Sequence, residues 1–289
     1  MEGIIFALVP MFAWGLIGFT SNKIGGTANQ QTLGLTIGAL LFALVSWVIV
    51  RPEMTWTLWI VGIIGGLLWS AGQNGQFHAM KYMGVSVAQP LSSGSQLVVG
   101  SLVGVLVFNE WTKPIQFILG LAALIILLVG FYFSSKQDNQ GQSDILESRD
   151  FPRGFRALTY STIGYVSYAV LFNNIMKFDA LSVLLPMAVG MFLGAVLFMK
   201  GNINFEPVVL KNSLVGLLWG TGNIFMLLAA AKAGLAIAFS FSQLGAVISI
   251  VAGILFLGEK KTKKELQWIT IGTILFVVGA ILLGIVKSY

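Results

Sequence analysis

The sequence predicts an all-α integral membrane protein of ten transmembrane helices, arranged as two inverted repeats of five. Composition comes first: of 289 residues 56% are hydrophobic and only 10% charged, with a mean hydropathy of +0.87. Soluble domains carry about 25% charged residues. The apolar runs are continuous rather than alternating, so they read as helices and not as barrel strands. At about 20 residues per crossing, ten of them use most of the chain. Recurrence is the third observation. Leu68-Trp69-Ser70-Ala71-Gly72 returns 150 residues later as Leu218-Trp219-Gly220-Thr221-Gly222, and Gly84-Val85-Ser86-Val87-Ala88 as Gly234-Leu235-Ala236-Ile237-Ala238. At an offset of 149, Leu106-Val107-Phe108-Asn109-Glu110 meets Leu255-Phe256-Leu257-Gly258-Glu259. Five spans begin and end on opposite sides of a bilayer, so the second set must be inserted upside down.

The first repeat, residues 1–133, holds spans Ile4–Thr20, Leu33–Val50, Thr57–Phe77, Ser86–Phe108 and Pro114–Phe133. Met1-Glu2-Gly3 lacks the basic segment of a cleaved signal peptide, so the first span is expected to be retained. A polar linker, residues 134–154, follows; its stretch Ser134–Asp150 has the composition of a disordered tether. The second repeat, residues 155–289, holds Phe155–Ile175, Leu181–Met199, Leu210–Ala230, Leu235–Leu257 and Leu266–Val286. Pro10 and Pro186 lie inside spans and predict bends, whereas Pro90 falls in a first turn, where it costs little. Small residues four apart (Gly34/Gly38, Gly62/Gly66, Gly100/Gly104, Gly190/Gly194, Gly216/Gly220) predict close helix packing within the bundle.

Charge sets topology. Arg51, Lys113, Lys177, Lys232 and Lys287 fall on one side, and the other twelve basic residues on the opposite side, including the Lys260–Lys264 cluster. The positive-inside rule places the richer side in the cytoplasm and both termini outside. The net charge of +6 is therefore a membrane signature, and no nucleic-acid partner is expected. No cysteine and one histidine, His78, exclude cysteine-based zinc and iron–sulfur chemistry. No catalytic constellation, metal site or cofactor is expected.

Polar groups at mid-span must face the bundle interior or a wet cavity. On the third span Trp69, Gln73 and Gln76 share one helical face, with Asn74 and His78 beside it. On the fourth, Gln89, Ser92, Ser93 and Gln96 share another. The second half offers Trp219, Asn223, Ser242 and Gln243; the first span adds Trp14, and the sixth Tyr165, Tyr168, Phe172 and Asn173-Asn174. Amides donate and accept at once, as vicinal hydroxyls require, and aromatic rings suit the flat face of a pyranose. Aromatic walls with a few placed polar groups make the usual small-molecule site. Trp14, Trp69, Gln73, Gln76, Gln89, Gln96, Tyr165, Tyr168, Trp219, Asn223 and Gln243 are the candidate substrate contacts, with spans three and four facing spans eight and nine. All eleven acidic residues lie outside the mid-span regions. Proton-coupling candidates are thus His78, whose ordinary pKa suits a switch, and the repeat mates Glu110 and Glu259.

Inverted halves are the architecture of secondary transporters. The ten-span plan resembles the drug/metabolite transporter superfamily. The stretch WSAGQNGQFHAMKYMGVSVAQPLSSGSQLVVGSLVGVLVFNEW, residues Trp69–Trp111, resembles the glucose/ribose porter family of bacterial sugar transporters, as does Trp219–Lys261. The resemblance extends over the whole chain. It implies uptake of glucose or ribose across the plasma membrane by alternating access, with proton symport. The alternative is an exporter of drugs or metabolites on the same fold, because fold does not fix cargo. Expected partners are the bilayer, a monosaccharide and protons.

Overall fold

The protein, seen in a computed structural model, is described for residues 2–136, 138, 149–176, 180–201, 203, 205–234, 238 and 241–286. Its elements among the described residues are α1 (Glu2–Ile24), α2 (Ala28–Val50), α3 (Trp56–Met83), α4 (Val85–Phe108), α5 (Pro114–Ser135), α6 (Phe151–Val170), α7 (Ala180–Phe198), α8 (Pro207–Ala233), α9 (Gly245–Phe256) and α10 (Lys263–Val286). A π-helical turn, Leu171–Met176, prolongs α6. Among the described residues, eight helices are long and apolar enough to cross a membrane. The other two, α6 and α9, fall short of the spans expected there, each for its own reason. Arg153 and Arg156 make the opening turns of α6 polar. The described part of α9 is apolar but short, and most of its expected start, Leu235–Ile237, lies outside the described residues.

Helices outrun the apolar windows because capping, not hydropathy, ends them. The third span was expected to stop at Phe77, yet α3 runs 28 residues to Met83, where Gly84 takes φ 85°. At 1.5 Å per residue it exceeds the hydrocarbon thickness of about 30 Å, so its last turns reach the interface. α6 starts at Phe151, four residues before the expected span. Asp150 caps it by accepting from the Arg153 amide at 2.9 Å, and Pro152 sits in the first turn, where no donor is missed. Thr262 and Glu265 form a reciprocal cap at the start of α10.

Nearly all extensive packing joins the first five helices to the second five. α3 lies between α6 and α7; α8 lies between α1 and α2. α4 packs on α6 and α9, α1 on α9, α2 on α7, and α5 on α10. Lipid supplies no hydrophobic drive between helices, so contact depends on backbones coming close. At Gly38 a Cβ would fall 1.8 Å from the Ser213 carbonyl oxygen, and at Gly66 2.1 Å from that of Met187. The expected Gly100/Gly104 pair is the exception. Nothing lies within 4 Å of a Cβ at Gly100, and Gly104 is covered by the Glu110 carboxylate, not by a helix.

Candidate functional site

Three buried rings mark the middle of the bundle. Trp69 of α3 meets Tyr165 of α6 edge-on at 5.8 Å and Trp219 of α8 at 5.7 Å. The helix periodicity that puts Gln73 and Gln76 on the Trp69 face delivers them next to Tyr165. The Tyr165 hydroxyl donates toward Gln73 Oε1 at 2.8 Å and lies 3.2 Å from Gln76 Oε1. Gln73 Nε2 donates to Gln76 Oε1 at 3.1 Å, and Gln76 Nε2 to Ser92 Oγ of α4 at 2.9 Å. Gln96 Nε2 donates to the same hydroxyl at 3.2 Å. Amides and hydroxyls thus run unbroken from α6 through α3 to α4. The amides of Gln73 and Gln76 are nearly inaccessible, at 2% and 5% exposure. Buried amides must be satisfied, and here they satisfy one another.

Other candidates stand around this cluster. Trp14 Nε1 donates to the Trp219 carbonyl at 3.4 Å, and Asn223 Nδ2 to the same oxygen at 2.8 Å. Tyr168 extends the aromatic wall, edge-on to Tyr165 at 6.4 Å and to Phe172 at 5.8 Å. Gln89 faces α1 near Gly18, and its buried Oε1 has no hydrogen-bond partner. Among the described residues, Gln243 is joined to none of these groups. Of the expected facing of spans three and four on eight and nine, the Trp69–Trp219 contact and the α4–α9 packing are present, and α6 is added to them. α6 and α8 complete the cluster, because the wide face of α3 is taken by α6 and α7. The side chains of Asn173 and Asn174 lie outside the described residues.

His78 belongs elsewhere. Its Nε2 lies 3.3 Å from Asn29 Oδ1, which also accepts from Asn74 Nδ2 at 2.9 Å. Asn29 Nδ2 donates to the Phe198 carbonyl at 2.9 Å, so this second polar cluster ties together α2, α3 and α7. It borders an open cleft of about 500 Å³ lined also by Tyr82, Tyr160 and Lys200. Sequence reasoning missed Asn29 because it falls between apolar windows. Asparagine at a helix start is common, and only the fold brings Asn74 opposite.

Glu259, expected as a coupling candidate and as a repeat mate of Glu110, also closes a helix end. Its carboxylate caps α4: Oε1 accepts from the Val85 amide at 2.6 Å and the Ser86 amide at 3.2 Å, and Oε2 accepts from the Ser86 hydroxyl. Lys261 Nζ is 3.9 Å away. Burial pushes the Lys261 ammonium down to about 8, helped by the nearby Arg149 and opposed by Glu259 and Glu265. Asp138, from the linker, is buried against the same loop through Thr262 Oγ1 at 3.0 Å.

Comparison with known proteins bears on cargo. A solved crystal structure 16% identical to this chain superposes with a TM-score of 0.60, over 97% of this chain and 96% of its own, which shows a shared fold. A protein of Streptococcus agalactiae serotype V, provisionally named a sugar uptake protein, is 70% identical over the full length of both chains. A similarly named protein of Streptococcus pyogenes serotype M1 is 71% identical over both full lengths. One from Lactococcus lactis subsp. lactis is 59% identical over all of this chain and 99% of its own. The family described as "Sugar transport protein" matches residues 5–286. With that match spanning its helices from α1 to α10, this multi-pass membrane protein belongs to the sugar transport protein family.

Proposed function

We propose that the chain imports a monosaccharide, glucose or ribose, across the cell membrane by alternating access, with proton symport, and that it is a carrier without catalytic activity. The observation that carries this is the uncharged cluster of Gln73, Gln76, Ser92, Gln96 and Tyr165 beside the Trp69 and Trp219 rings. It offers paired donors and acceptors with aromatic faces and no fixed charge, the chemistry of a neutral polyol. Sugar hydroxyls would exchange for the bonds that these side chains make to one another.

Helix packing supports the inverted repeats. When each helix is exchanged for the one five places along, α1 on α8 becomes α6 on α3, α2 on α8 becomes α7 on α3, and α1 on α9 becomes α6 on α4. The pairs α2–α7, α4–α9 and α5–α10 map onto themselves. Halves of five spans related by a two-fold axis must have that axis in the membrane plane, and rocking one against the other would expose the cluster to each side in turn. The basic count orients the α3–α4 turn and the α9–α10 loop to the cytoplasm. For coupling, His78, Glu110 and Glu259 are the groups we assign.

The test is uptake of labelled glucose and ribose into proteoliposomes, with and without an inward proton gradient. Saturable uptake of one sugar, stimulated by the gradient, is expected. Uptake indifferent to the gradient removes the symport assignment, and absence of flux with either sugar removes the cargo.

A further inference from the structure

A second polar cavity stands apart from the sugar cluster. α6 and α7 both pack along α3, and an open cleft of about 500 Å³ is lined by all three. Asn74, His78 and Tyr82 line it from α3, with Asn29 of α2 beside them; Tyr160 of α6 and Leu197 and Lys200 at the end of α7 complete it. Gln73 and Gln76 bond instead to Tyr165 and Ser92, so the two sites use different faces of α3. Gly75 lets the α6 side come close: a Cβ there would sit 2.9 Å from the Tyr160 ring.

The polar groups of the cleft divide into two sets. The amide donors are used up within the fold: Asn74 Nδ2 donates to Asn29 Oδ1 at 2.9 Å and to Thr32 Oγ1 at 3.1 Å, and Asn29 Nδ2 donates to the Phe198 carbonyl. The second set is not. Among the described residues, the hydroxyls of Tyr82 and Tyr160 and the Lys200 ammonium have no hydrogen-bond or ion-pair partner. Tyr160 and Lys200 are exposed, and Tyr82 stacks on His78. No carboxylate lines the cleft among the described residues. Asp150, whose amide donates to the Tyr82 carbonyl, turns its own carboxylate to the Arg153 amide and guanidinium. An uncompensated cation with two unused hydroxyl donors suits an anion that has several acceptor oxygens, and phosphate has them. Depth points the same way. Tyr82 is in the last turn of α3, at the interface, and the basic count puts Lys200 on the cytoplasmic side, where basic pockets between helices hold phosphate headgroups.

We propose that this cleft binds a phosphate ester at the cytoplasmic face, with Lys200 as its counter-ion and Tyr82 and Tyr160 as hydroxyl donors. Leu197, 69% exposed, gives the organic part of the ester an apolar wall. Two sources share this chemistry: the headgroup of an anionic phospholipid and a soluble sugar phosphate.

Two arms separate them, both with the full chain in detergent and no sugar added. Native mass spectrometry titrates the excess of bound phosphatidylglycerol over net-neutral phosphatidylcholine, and equilibrium dialysis titrates a labelled hexose phosphate. At least one anion should bind, about tenfold more weakly in Lys200→Gln and about threefold more weakly in Tyr160→Phe. Lys23→Gln, at an exposed lysine of the same side outside the cleft, should bind like wild type. Sensitivity to Lys200→Gln in the lipid arm alone assigns the phospholipid headgroup, in the dialysis arm alone the soluble ester, and in both a general phosphate site. Binding in neither arm, or a loss no larger in Lys200→Gln than in Lys23→Gln, overturns the site. Wild-type binding by Tyr160→Phe overturns the part given to that hydroxyl. Neither arm reads transport, so failure of glucose and ribose uptake sinks the cargo assignment and leaves this result standing.

Discussion

α3 and α8 share a run of similar residues, Leu68–Gly72 and Leu218–Gly222, and their likeness stops at the scaffold. Trp69 and Trp219 are mates, both nearly fully buried and in ring contact with each other. Gly66 and Gly216 are mates as well, each pressed on a neighbouring backbone. The polar residues one turn on behave differently. Gln73 bonds outward to Tyr165 of α6 and along its own face to Gln76, whereas among the described residues Asn223 bonds to the Trp219 carbonyl of its own helix. The two helices share what packing requires and differ in what their amides do. Among the described residues the amide cluster is therefore mainly the property of α3 and α4, with Tyr165 as its one hydrogen-bonding member from the second half.

The largest expected effect tests the scaffold. Gly66→Val and Gly216→Val should both abolish monodisperse protein on size-exclusion chromatography, since each added side chain meets backbone within 2.3 Å and overpacking costs about 1–3 kcal/mol or more. One mate tolerating valine would break the likeness of the two helices. Next comes the chemistry. Gln76→Ala removes the partner of Gln73, Tyr165 and Ser92 at once, leaving buried groups that cost roughly 1–3 kcal/mol each. Sugar uptake by that variant should fall about a hundredfold, with expression intact, while Asn223→Ala should stay within about threefold. Equal losses in the two variants would place the second half in the site on the same terms as the first.

The smallest effect concerns the loop ends. Thr112 stands where the second half has Lys261. The buried Lys261 ammonium, at about 8, lies below its ordinary 10.5. The folded chain thus binds fewer protons than the unfolded one between those values, and stability rises with pH across that window. Below about 8 the destabilisation is fully present. Melting temperature should climb by a few degrees between pH 7.5 and about 9.5 and flatten in Lys261→Met. A slope that survives in Lys261→Met would assign the titration to another group.

How far the site was legible varied by residue. Trp69, Gln73 and Gln76 could be read together because helical periodicity alone fixes their common face, and Ser92 and Gln96 followed on α4. Tyr165 was named, but nothing in the chain said that its hydroxyl would reach Gln73 from 92 positions away. Gln243 was named by the same logic and stays apart from the cluster, since a shared face on one helix does not say which neighbour that face meets. Asn29 went unread for the complementary reason. Its partners Asn74, His78 and the Phe198 carbonyl come from α3 and α7, and local pattern carries no signal for them.

Hydropathy and recurrence by themselves determined a helical membrane protein and most of its helices, because satisfying the backbone in hydrocarbon leaves little else. They also determined the chemical type of the interior, since uncharged amides at mid-span have few tolerable surroundings. Only the tertiary structure decided which amides meet, and that Glu259 reaches across the halves to cap α4. Those choices depend on how closely glycine-bearing backbones approach and at what angle, a property of paired surfaces that no single stretch of sequence contains.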